Sequence, residues 1–143
     1  MIFSIGQSEH ERIEVDVLGY ERAPVGEYHD DNWLTVQIRV RVGGFRGTVD
    51  AAILTDELVA FLGRLHPLLA SLQGTAEFTT LEGQLHLRLA GDGKGHIELV
   101  GDVADQAAIG NRLHFTLDFD QSQLGASIRE LETVVAAFPI RSA

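Results

Sequence analysis

Leu34–Val42 reads LTVQIRVRV. Leu34, Val36, Ile38, Val40 and Val42 alternate with Thr35, Gln37, Arg39 and Arg41. A period of two sustained this long marks a strand with one buried and one solvated face. Gly43-Gly44 follows at once, and FRGTVDAAIL resumes as a strand from Phe45 to Leu54. Glycine pairs supply the positive backbone angles of tight hairpins, so these two strands are predicted to be antiparallel neighbours. Upstream, RIEVDVL (Arg12–Leu18) alternates in the same way, with Ile13, Val15 and Val17 on one side.

The period changes after Leu54. Leu58, Leu62, Leu65, Leu69 and Leu72 recur at helical spacing within Thr55–Gln73. Thr55 is a natural N-cap and Gly74 a natural stop. Pro67 removes one backbone donor inside this stretch and predicts a kink or break near His66, eased by Gly63 four residues earlier. Short alternating runs follow as TAEFTTL, QLHLRLA, GHIELVGDV and RLHFTLDF. Turn signals separate them at Glu82-Gly83, Gly91-Asp92-Gly93 and Gly110-Asn111. A second helix is predicted over Asp120–Phe138, with Leu124, Ile128, Leu131, Val134, Val135 and Phe138 as its apolar stripe. Asp120 or Ser122 caps it, and Pro139 lies just beyond its end.

Short connections imply antiparallel pairing, because parallel strands need long crossovers. The predicted fold is α+β in the order βββαββββα. It is a single twisted, mainly antiparallel sheet of about six to seven strands, with two helices on its apolar face. Residues 1–143 read as one domain, since no linker, repeat or low-complexity segment divides them.

Composition narrows the function. The chain has 21 acidic and 11 basic residues, a formal charge of −10, and no cysteine. Thiolate zinc sites, disulfides and cysteine nucleophiles are thereby excluded. The charge repels phosphate backbones and anionic lipid, so neither nucleic acid nor membrane is expected as a partner. No apolar run reaches the roughly 18 residues of a membrane span. MIFSIGQSEHERIEV lacks the features of a signal peptide, which predicts a cytoplasmic protein.

Glu27, His29, Asp30, Asp31 and Asn32 crowd the entry to the central strand. They lack the spacing and bend glycine of a calcium loop, and only His29 is present for zinc. The ordinary reading is a turn in which Asp31 and Asn32 bond backbone donors before Trp33 enters the sheet. His86 and His114 alternate with apolar neighbours; His86 shares its predicted solvated face with Gln84 and Arg88. They would form a metal pair only if their strands were neighbours. Gly91–Glu98, GDGKGHIE, leads into a strand rather than a helix, so it reads as a hairpin and not a phosphate loop. No nucleophile elbow is present. Catalytic residues, metal and cofactor are therefore all predicted as none.

Several segments in order, VLGYERAP, YHDDNWLTVQIRV, a Phe45-containing strand, the Thr55-Asp56-Glu57-Leu58 helix start, GHIELVGDV and LHFTLDFDQSQL, resemble the WapI-type bacterial immunity proteins. The resemblance covers about Val15 to Leu131. It implies a non-enzymatic protein that binds and neutralises a cognate toxin domain, one whose basic cleft an acidic surface would complement. Loop carboxylates Glu27, Asp30, Asp31, Asp92, Asp102 and Asp105 are the candidate partner-binding residues. Two rivals stay open. One is a ligand-binding or enzymatic module with a pocket near His86 and His114. The other is a self-associating structural protein, a homodimer included, with an exposed apolar patch on the sheet or on Asp120–Phe138.

Overall fold

The computed structural model describes residues 1–142. Its strands are β1 (Ile2–Ile5), β2 (Glu11–Tyr20), β3 (Trp33–Val42), β4 (Phe45–Leu54), β5 (Gln73–Phe78), β6 (Leu85–Asp92), β7 (His96–Ala104) and β8 (Arg112–Asp120). The helices are α1 (Tyr28–Asp31), α2 (Thr55–Ser71) and α3 (Gln121–Ala137). All strand pairs are antiparallel, as the short connections require. They form two four-stranded sheets, β1-β2-β3-β4 and β5-β6-β7-β8, not the single sheet predicted. The break falls at α2. A strand followed by a 17-residue helix need not return to its own sheet, and alternation reports a strand's faces without naming its partner.

The chain thus runs twice through four meandering strands and one long helix. Each helix crosses over: α2 packs on β5, α3 packs on β1, and the helices pack on each other. This exchange gives both sheets one shared core. Leu34, Val36, Ile38 and Val40 of β3 are all buried, as their alternation predicts. Phe61 of α2 and Phe78 of β5 meet there with ring centroids 4.9 Å apart. Leu124, Ile128, Leu131 and Val134 of α3 are buried in the same cluster, so that stripe is not left free for self-association.

Local details refine the helix ends. Asp120 caps α3, accepting from the Ser122 and Gln123 amides. For α2 the N-cap is Leu54, not Thr55; Glu57 Oε1 accepts from the Leu54 amide at 2.8 Å. Thr55 instead turns its hydroxyl to Asn32. The helix runs unbroken through Pro67, with open space beside Gly63. It stops at Leu72, whose φ of 60° makes it the left-handed residue in place of Gly74. A leucine holds that conformation because two bonds fix it: the Leu72 amide donates to Leu68, and the Gly93 amide donates to the Leu72 carbonyl.

Gly91 makes that ending sterically feasible. A Cβ there would lie 2.3 Å from the Leu72 carbonyl oxygen, a backbone atom that cannot swing away. Gly91→Ala is expected to cost about 2–3 kcal/mol of unfolding free energy. Gly47→Ala, with nothing within 4 Å, should shift it by no more than about 0.5 kcal/mol. Urea denaturation of both variants checks the contrast.

Candidate functional site

The polar stretch before β3 proves to be a structural junction. The Asp31 side chain is 2% exposed, and its carboxylate accepts from the backbone amides of Val25, Gly26 and Glu27 at 2.8–3.1 Å. The Val25 amide foremost, then those of Gly26 and Glu27 and the Arg22 guanidinium, hold its pKa below the ordinary 3.8 against the opposing effect of burial. Asn32 is buried beside it. Its amide donates to the Tyr28 and Arg141 carbonyls, and its side-chain oxygen accepts from Thr55 Oγ1 and the Arg141 amide. One side chain thereby ties α1, the start of α2 and the C-terminal segment together. The Arg141 guanidinium stacks on Tyr20, 3.4 Å from the ring centroid.

The other candidate carboxylates sit elsewhere. Glu27 and Asp30 are exposed, each 3.5 Å from Arg22. Asp92 closes the β6–β7 turn by accepting from the Lys94 and His96 amides. Asp105 braces the β7–β8 loop through the Asn111 amide and side chain. Both are held below the ordinary 3.8, Asp92 first by the Lys94 amide and Asp105 first by the Asn111 side chain. Asp102 pairs with Arg112 at 2.7 Å. Asp92 therefore lies at one end of β7, Asp102 and Asp105 at the other, and Glu27 with Asp30 before β3 in the other sheet. The structure does not gather them into one cluster.

The strand histidines are separated by β7. Across the outer face of the second sheet the register reads His86, Asp102, His114. His86 Nδ1 stands 3.9 Å from Asp102, too far for a hydrogen bond. Among the described residues no group of three or more His, Asp or Glu is placed to hold a metal ion. Gln84, expected on that solvated face, is buried. It precedes β6, and its side-chain amide donates to the Asp50 carbonyl of β4 and the Ala104 carbonyl of β7. This is a direct bond between the two sheets.

Beyond that bond the sheets diverge and leave a cleft of about 350 Å³. The edge of β4 from Phe45 to Val49 forms one wall; Asn111, Arg112 and Leu113 form the other. Phe45 is 65% exposed at the hairpin tip. The histidines do not line the cleft, because they point to the opposite face of the pleat from Leu113 and Val103. On the outer face of the first sheet, Arg12, Arg41 and Arg46 stand directly across from one another on β2, β3 and β4. Arg12 pairs with Glu14, and Arg39 with Glu14 and Asp16. Among the described residues Arg41 and Arg46 have no acidic partner. No single sequence motif marked this row, since it needs the pairing register as well as the hairpin.

An antiparallel α+β domain with a shared core, an open cleft and no convergent metal set among its described residues is the class defined by this geometry. A model of the immunity protein WapI-like family matches residues 2–139, and the chain belongs to that family. Immunity proteins of this kind are generally non-enzymatic and act on a toxin partner. A search of curated proteins gives no match. No helix among the described residues is long and apolar enough to cross a membrane.

Removing the Asn32 side chain would leave polar partners on three segments unpaired, the Thr55 hydroxyl among them fully buried. Asn32→Ala is expected to cost about 2–4 kcal/mol in urea unfolding. Asp31 gives a pH signature. Because its folded pKa lies below the unfolded value, its stabilisation is complete above about pH 4 and fades as pH falls through the folded value. Asp31→Asn should be less stable than wild type at pH 6 and lose less between pH 4 and pH 2. Glu57 runs the other way: burial first, then Asp56 and Glu82, raise its carboxyl above the ordinary range. Denaturation midpoints across that range check the sign.

Proposed function

We propose that this chain is a cytoplasmic bacterial immunity protein, an antitoxin that binds a cognate toxin domain and neutralises it without catalysis. Membership of the WapI-like family over residues 2–139 is the observation that carries the reading. The formal charge of −10 supports a toxin of basic character, because complementary fields accelerate encounter and suppress wrong partners. Glu27 and Asp30, together with Asp102 and Asp105, are the carboxylates we assign to the acidic contact. Asp92 is a further exposed contributor, whereas Asp31 acts by shaping the loop that presents Glu27 and Asp30.

Binding that blocks a toxin needs area and geometry more than reactive groups. A standard interface buries about 800 Å² on each partner, a small fraction of a domain's surface. The exposed loops and the cleft rim offer such an area without any rearrangement of the core. Exposed arginines and aromatics beside it, Arg46 and Phe45 in particular, are the residue types that dominate interface energies.

The test pairs this chain with a candidate toxin domain from its source genome. Expression of that domain alone should arrest growth, and co-expression of this chain should restore it, with the two copurifying. Association should slow at least tenfold between about 50 and 500 mM salt if opposite charges steer it. Arrest that persists despite equal expression, with no copurification, would overturn the proposal.

A further inference from the structure

We infer that the first half of β4, Phe45–Val49, receives an extended acidic segment of the protein partner, which adds to the first sheet as a fifth strand. The inference rests on the immunity reading for the partner's existence and adds where, and by what chemistry, it docks.

A four-stranded sheet has two edges, and bare edges invite pairing with other chains. Two of the four edges, β1 and β5, each bond a side chain of a long helix. On β1, the Ser4 amide donates to Glu130 of α3 at 3.0 Å. On β5, the Glu77 carbonyl accepts from Arg64 of α2 at 3.0 Å. On β4, the Asp50 carbonyl accepts from Gln84. That last bond fixes the parity of the strand. In an antiparallel pair a residue's N–H and C=O point to the same side, and sides alternate. The Thr55 amide bonds Asn32 on the β3 side, so odd positions face β3 and even positions face outward. Arg46 and Thr48 therefore present their N–H and C=O groups at the edge. Among the described residues no other group bonds them.

Burial agrees. Phe45, Arg46, Gly47 and Thr48 are all exposed, whereas Ile53 and Leu54 at the other end are buried. The open stretch is about 16 Å long, room for a five-residue strand. The opposite edge of the second sheet, β8, is a poorer template: it bears Asp118 and Asp120 and no free cationic row.

The arginine row identifies the occupant. Like charges directly opposite on adjacent strands oppose sheet formation, yet Arg41 and Arg46 face each other with no acidic partner among the described residues. In a protein of charge −10 this is a local reversal of sign. A fifth strand beside β4 would place every second side chain next to Arg46 and one strand from Arg41. Carboxylates at those positions would be paired bidentately and would relieve the repulsion. The intervening side chains would face the cleft and Phe45, where apolar groups fit. An alternating acidic and apolar strand is thus the complementary ligand.

The experiment uses the full chain and a synthetic eight-residue peptide of alternating valine and glutamate, with a valine–lysine peptide as its counterpart. The glutamate peptide should slow hydrogen exchange of the Arg46 and Thr48 amides at least tenfold, and the lysine peptide should not. The double variant Arg41→Glu/Arg46→Glu should weaken the glutamate peptide at least tenfold. Thr48→Pro, which removes a donor facing away from β3, should weaken it without altering the charge. Protection absent, equal with both peptides, or confined to β8 overturns the inference. Protection that rises with protein concentration alone would assign the edge to a second copy and overturn it as well. In the growth assay, neutralisation by wild type but not by the double variant supports this docking site. Equal neutralisation by both overturns it while the immunity reading stands; failure of wild type itself overturns that reading instead.

Discussion

The edges of the two sheets constrain most of this structure. Two four-stranded meanders leave four edge strands, and each edge must be paired, covered or exposed. The long helices cover two of them by crossing to the other half. Glu130 of α3 takes an amide of β1, and Arg64 of α2 takes a carbonyl of β5. The same crossing forces the halves to share a core, since neither helix could bury its apolar stripe on its own sheet's first strand and leave the other bare. Gln84 then fixes the distance between sheets by bonding both with one side chain. The cleft is what remains where that bond ends.

Much of this architecture is legible in the residues. The alternation of Leu34–Val42, the Gly43-Gly44 hairpin, the helical recurrence after Thr55 and the Asp120 cap all appear where their physics places them. The division into two sheets is not legible, because period two describes a strand and not its neighbour. β1 is missed because four residues give alternation too little length. The helix α1 is a single turn, indistinguishable in composition from the polar turn it replaces. Gln84 illustrates a phase error: extrapolating the strand backward puts it on the solvated face, but β6 starts only at Leu85, so its direction is set by the loop.

The site shows the same division. Residue type located the Glu27–Asn32 loop, and it correctly predicted that Asp31 and Asn32 serve the backbone. It could not separate Asp31, turned inward onto three amides, from Asp30, one residue earlier and exposed. That difference is positional. A one-turn helix rotates successive side chains by about 100°, which sends neighbours to opposite environments. The arginine row was spread over three segments of sequence and became a row only through the register Arg12, Arg41, Arg46.

Net charge and local charge then act at different ranges. Beyond about 8 Å at physiological salt, individual charges are screened, so the acidic surplus governs solubility and encounter. Contact is decided within a few ångströms, where Arg41 and Arg46 outweigh distant carboxylates. An acidic protein can therefore attract a basic partner and still seat an acidic strand of it on β4. Such a patchwork is more selective than a uniform face: a partner with the right net charge but a basic edge would be drawn in and then repelled at the hairpin. The repulsion between Arg41 and Arg46 is tolerated because Arg46 is exposed on the edge strand, where solvent screens it while no added strand is present. Once a strand excludes that solvent, the same two charges favour carboxylates far more strongly than water allowed.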